Sequence, residues 1–204
     1  MLRSFSLAIL FLFSIQTFAL TTKGKYFDRV ITVIFENKNY SDAMKQPFFA
    51  ELARKGANFS NFLALTHPSQ PNYIALTSGS TYNVTDDSVV NLNANNIVDL
   101  LEAKNISWKV YAEEYPGNCY TKATSRNYAR KHNPFISYLD IQKNPARCAN
   151  IVNAAQFDQD AASGNLPSYV FYVPNNKNNG HDTTIAFADK WYGEAKTYKR
   201  SFQS

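Results

Sequence analysis

The sequence predicts an α/β domain built on a mostly parallel, doubly wound sheet flanked by helices. Three observations point to it. Residues 29–35 (RVITVIF), 107–112 (SWKVYA) and 168–173 (SYVFYV) are runs of β-branched and aromatic residues that read as strands buried on both faces. Segments with helical spacing stand between them, and each run ends in a polar turn. The resulting order of strand, helix and strand is that of parallel units joined by crossovers.

Taken in order, residues 29–35 read as a central strand that stops at ENKNYSD. Residues 47–55 (PFFAELARK) begin with a proline suited to a helix start and end before Gly56, a helix stop. The apolar run 57–65 (ANFSNFLAL) reads as a second strand. It feeds a corner, THPSQPN, from which a short helix opens at Asn72 and stops at Gly79. Residues 96–104 (NIVDLLEAK) read as an amphipathic helix before the strand at 107–112. From 113 to 155 periodicity fades, which predicts an irregular insertion bracketed by Cys119 and Cys148. A helix over residues 183–192 follows the strand at 168–173.

The 204 residues give room for one α/β domain, or for part of a larger one, and 15 Phe with 13 Tyr supply material for its core. The net charge is +5, but no basic run exceeds two residues, which excludes a nucleic-acid surface. Residues 1–19 combine an early Arg3, an apolar stretch and small residues before TTKGK. This is the pattern of a secretory signal, too short for a stable membrane anchor; a buried N-terminal helix is the other reading. In an extracellular protein the two cysteines, Cys119 and Cys148, predict a disulfide. Asn39, Asn58, Asn83 and Asn105 each open an acceptor sequence for N-linked glycosylation.

Ligands of open parallel sheets bind beyond the carboxyl ends of the strands. The residues expected there are Glu36 and Asn37, the Ser69 corner, Glu113 and Glu114, and residues 175–182 with His181 and Asp182. Ser69 stands between two prolines at a helix start, where free N–H groups and the helix dipole suit an anion. An ordinary capped loop is the plainer reading. Asp182 reads equally as a ligand or as the cap of the next helix. Oxygen and imidazole donors together suit a divalent cation.

VIFENKNYSD, THPSQPNYIALTSG, RKHNPF and PN-x4-GHD, in this order, resemble the phosphoesterase family of secreted fungal acid phosphatases and bacterial phospholipases C. The resemblance runs from about Arg29 to Trp191 and implies a core like that of the alkaline phosphatases. It implies a divalent metal ion held on the side of Glu36 and Asn37, with Ser69 as the nucleophile. Asn72 would donate to a phosphate oxygen, and His132, His181 and Asp182 would line the substrate pocket. The implied substrate is a small phosphate ester.

Members of that family continue into an acidic segment that completes the metal site. Here residues 193–204 form a polar tail without it, so the domain at 26–192 is expected to be incomplete at its C-terminus. Three functions remain open on the sequence: an acid phosphatase acting on monoesters, a phospholipase C-like diesterase, and a secreted glycoprotein that turns nothing over.

Overall fold

The computed structural model describes residues 24–194, so the signal at 1–19 and the tail from 195 onward lie outside the described residues. Strand β1 (Val30–Val33) is followed by helices α1 (Tyr40–Ala43), α2 (Pro47–Lys55), α3 (Ser69–Ser78) and α4 (Ile97–Ala103), then β2 (Trp108–Ala112). A hairpin of β3 (Thr124–Ser125) and β4 (Tyr128–Ala129) leads into two 3-10 turns, Arg130–His132 and Pro134–Ser137. Short helices α5 (Leu139–Gln142) and α6 (Pro145–Cys148) precede β5 (Ile151–Asn153), α7 (Ala155–Ala162), β6 (Tyr169–Val173) and α8 (Ile185–Glu194).

The main sheet has the order β1-β6-β2-β5 and every neighbouring pair is parallel. Alternate residues of β2 and β6 serve opposite faces, as the two-residue period of a strand requires. Trp108, Val110, Phe171 and Val173 pack with Ile74, Val98, Phe135 and Ile136. Tyr111, Val170 and Tyr172 pack on the other face with Phe157 and Leu166. Burial on both faces is why these strands carry no polar alternation.

Several expectations need correction. The run at 29–35 reads as a central strand, but β1 lies at an edge of the described sheet, with Val30 38% exposed, and β6 and β2 occupy its middle. Residues 57–65 form no strand. Phe59, Phe62, Leu63 and Leu65 are exposed, and the amides of Leu65 and Thr66, which a ladder would need, donate instead to Oδ1 of Asn72. Helix α3 begins at Ser69 rather than at Asn72. Pro71 is tolerated inside it because the first-turn amides of a helix have no internal partner, so its missing N–H costs no bond. The segment 113–155 is more regular than expected: β5 pairs with β2, but three residues are too few to show a period. The Cys119–Cys148 bridge forms across it, with Cα atoms 5.7 Å apart.

Candidate active site

Four separate segments converge at the carboxyl end of the sheet. Glu36 stands just beyond β1, Ser69 opens α3, His132 closes the first 3-10 turn, and His181 lies in the loop after β6. Ligand atoms of Glu36, His132 and His181 all lie within 4.8 Å of one another. Oε1 of Glu36 meets Nε2 of His132 as an ion-pair contact, and both atoms are buried without a conventional hydrogen bond. The Ser69 hydroxyl lies near enough to the Glu36 carboxylate to favour its charged form. Burial pushes the Glu36 carboxyl up, but His132, the Ser69 hydroxyl and His181 outweigh it and hold the group below its ordinary value.

Asn179, which sequence reasoning did not single out, joins these segments. Its backbone carbonyl accepts the amide of Glu36 (3.0 Å), and its Oδ1 accepts the amide of His181 (2.7 Å). Its Nδ2 faces Nδ1 of His132 at 3.4 Å, and the side chain is 1% exposed. The next residue, Gly180, has φ +92, and a Cβ there would face the Glu36 carbonyl at 3.7 Å. Glycine allows this turn to lie against the β1 end without backbone strain. The only advance signal was the asparagine-rich PNNKNNG turn.

His132 is buried and stacks on Tyr73 of α3, with ring centroids 5.1 Å apart. His181 binds Oδ1 of Asp182 through Nδ1 (2.6 Å), and that hydrogen bond is the main cause holding the Asp182 carboxyl below its ordinary value. Asp182 does not cap the last helix: Oγ1 of Thr184 accepts the Phe187 amide (3.1 Å) in that role.

The side chain of Asn72 is committed to its own corner. Besides the two amides it accepts, its nitrogen donates to the carbonyls of Thr66 (2.8 Å), Pro68 (2.9 Å) and Ser69 (3.4 Å). Asn37 is exposed beside Glu36, with a left-handed φ of 56 that asparagine tolerates.

Glu113 and Glu114 anchor the loop before the histidine instead of facing the cluster. Glu113 accepts from the Asn175 amide (2.9 Å), Asn178 (2.7 Å) and the Tyr172 hydroxyl (2.9 Å), and burial raises its pKa. Glu114 accepts from Asn127 and Asn175. Asn39, Asn58, Asn83 and Asn105 are all exposed.

A serine at a helix start beside a carboxylate and two imidazoles is a constellation suited to an anionic group. The Phosphoesterase family profile matches residues 24–201, a span that passes beyond Trp191. The chain belongs to the Phosphoesterase family. It is 41% identical over 180 residues to a probable acid phosphatase of Kluyveromyces lactis, covering 83% of this chain and 42% of the relative. It is 40% identical over 178 residues to an acid phosphatase of Aspergillus fumigatus, covering 83% of this chain and 40% of the relative. A phosphatidylinositol-3-phosphatase of Mycobacterium tuberculosis is 32% identical over 170 residues, covering 81% of this chain and 55% of that protein. The chain thus spans about two-fifths of the length of the fungal phosphoesterases it matches.

Proposed function

We propose that this chain carries the nucleophile portion of a secreted, cation-dependent phosphoric ester hydrolase of acid phosphatase type, acting on small phosphate monoesters. The observation that supports it is Ser69, the first residue of a ten-residue helix, with its hydroxyl near the Glu36 carboxylate that His132 and His181 also approach.

The donor set fits a divalent cation. A carboxylate and two imidazoles suit a borderline metal, and buried Oε1 of Glu36 and Nε2 of His132 face each other without conventional hydrogen bonds. Glu36, His132 and His181 would hold the ion, with Asn37 adjoining. It would supply neutralisation of phosphate charge and a lower pKa for a bound hydroxyl.

In this reading Ser69 Oγ forms the bond to phosphorus as the alcohol oxygen departs. The neighbouring Glu36 carboxylate orients the hydroxyl and takes up its proton as that bond forms. The Ser69 amide at the start of α3 faces the equatorial oxygens, since the Gln70 amide is held by Asp87 and Pro71 has no N–H. Asp182 holds Nδ1 of His181, which leaves Nε2 as that ring's ligand atom, and the departing alcohol takes its proton from solvent water. Water then releases phosphate from the serine. Asn72 keeps the corner in shape and so fixes where Oγ points.

The test is turnover of a chromogenic phosphate monoester by the full chain with added divalent cation, alongside Ser69→Ala. The variant should fold and lose turnover and phosphoenzyme labelling. Equal turnover in a folded Ser69→Ala chain rejects the assignment, and a side-by-side diester assay separates a phospholipase C-like activity.

A further inference from the structure

Next to the Ser69 corner, one carboxylate does two jobs. Oδ1 of Asp87 accepts the amide of Gln70 (2.9 Å), the residue after Ser69, and Oδ2 takes Nζ of Lys131 (2.8 Å), the residue before His132. The Gln70 side chain is only 2% exposed, and it donates to the carbonyls of Asp86 (3.0 Å) and Ser88 (2.7 Å). The loop at 86–88 therefore grips the first turn of α3 by three hydrogen bonds. A first-turn amide has no partner inside its helix, and an anionic acceptor there matches the helix dipole.

Lys131 is the rim-facing member of a basic pair whose other member is buried. The Arg130 guanidinium turns inward, 1% exposed, to the carbonyls of Thr121, Val90 and Ile136 and to Oδ1 of Asn91. Lys131 stays at the rim, its side chain 20% exposed, on the wall of a cleft of about 240 Å³ that Gln70, Asp87 and Asn176 also line. Its charge also acts on Asp182, the partner of His181. A partly exposed ion pair of this kind loosens at small cost.

We propose that Asp87 is a positioning residue that fixes the start of α3 and holds Lys131 in place, and that Lys131 is the cation a tetrahedral oxyanion takes over on binding. This rests on the reading of Ser69 as the nucleophile. A dianionic ester arriving at the helix start would compete with Asp87 for the same ammonium. The pair would then open as substrate enters and close again when phosphate leaves.

The experiment is titration of the full chain with tungstate, a tetrahedral oxyanion, in the presence of manganese, by calorimetry. Asp87→Asn keeps an oxygen for the Gln70 amide but releases Lys131, so it should fold and bind tungstate about five- to tenfold more tightly. Lys131→Met should bind about tenfold more weakly, and adding Asp87→Asn to it should restore nothing. A gain from Asp87→Asn that persists without Lys131 reduces the effect to deletion of a negative charge and overturns the proposal. Unchanged affinity in Asp87→Asn overturns it as well, while leaving the nucleophile assignment standing if the wild-type chain binds. Should Asp87→Asn fail to fold, Lys131→Met alone decides, and an affinity equal to wild type rejects the role. Tungstate binding by none of the chains would remove both this proposal and the reading of the site beneath it.

Discussion

Replacing Asn72 by alanine should loosen the Ser69 corner, because one side chain there stands in for a missing strand ladder. Three of its bonds are short: it accepts the Leu65 amide at 2.9 Å and donates to the Thr66 and Pro68 carbonyls at 2.8 and 2.9 Å. The side chain is half-buried, so about 0.7 kcal/mol for each, the lower half of the usual range, gives about 2 kcal/mol. For a domain of this size that lowers Tm by about 4 to 8 °C. Asn72→Asp should fare no better. It keeps an acceptor for the two amides but turns its second oxygen on the carbonyls that the amide nitrogen now satisfies. Thermal unfolding measures the loss, and amide hydrogen exchange locates it, with Leu65 and Thr66 exchanging on the order of tenfold faster in the alanine variant. An unchanged Tm with unchanged exchange at those two amides would refute the account of Asn72 as the corner's tie. The side chain would then be free to serve phosphate directly.

Other outcomes follow from contacts remote in sequence. The buried Asp189 carboxylate on α8 accepts the amides of Phe48 and Phe49 at the start of α2, whose own N-cap Gln46 makes no side-chain bond. Asp189→Ala should therefore cost about 2 to 3 kcal/mol in urea unfolding, and Asp189→Asn distinctly less. Burial pushes the Asp160 carboxyl up, but Lys109 and Tyr111 outweigh it and hold the group below its ordinary value. A depressed carboxylate stabilises the fold above its unfolded-state pKa, and that contribution disappears as pH falls through the folded value. The acid limb of a stability curve should accordingly flatten in Asp160→Asn, with no change in shape near neutrality. Reduction of Cys119–Cys148, which spans 29 positions, should cost about 3 to 4 kcal/mol by the chain-entropy argument, read as the shift in denaturation midpoint with and without reductant.

The parts of this protein that were legible in the sequence are those whose cause is local. Helix α2 runs over Pro47–Lys55 as its proline and Gly56 predict, and α4 starts behind Asn96, whose side chain and Asp99 make a reciprocal capping box. Strands β2 and β6 follow their apolar runs to within a residue at the start. Partners were not legible. Nothing in 29–35 says that it lies at an edge, since a run of β-branched residues fits either place and only the order β1-β6-β2-β5 decides. The run at 57–65 has strand composition, yet a strand needs a neighbour for its amides, and Asn72 supplies the acceptor instead.

The site divides along the same line. Glu36 and His181 follow strands of a parallel sheet, where topology places ligands, so their positions were readable even though their mutual distance was not. Asn179 and Asp87 act through bonds to residues brought near only by folding. Asn179 reaches Glu36 and His132 from the far end of β6, and Asp87 links Gln70 to Lys131 across two separate loops. Their chemistry is generic, a carboxamide and a carboxylate in polar turns, and no spacing rule marks them. Yet these two tie together the segments that carry the candidate groups. On the proposed reading, substitution at Glu36 or Ser69 removes a reacting group, whereas substitution at Asn179 or Asp87 leaves every such group present and changes where it points. Catalysis depends steeply on such placement, so loss at the positioning residues should appear in turnover before it appears in folding.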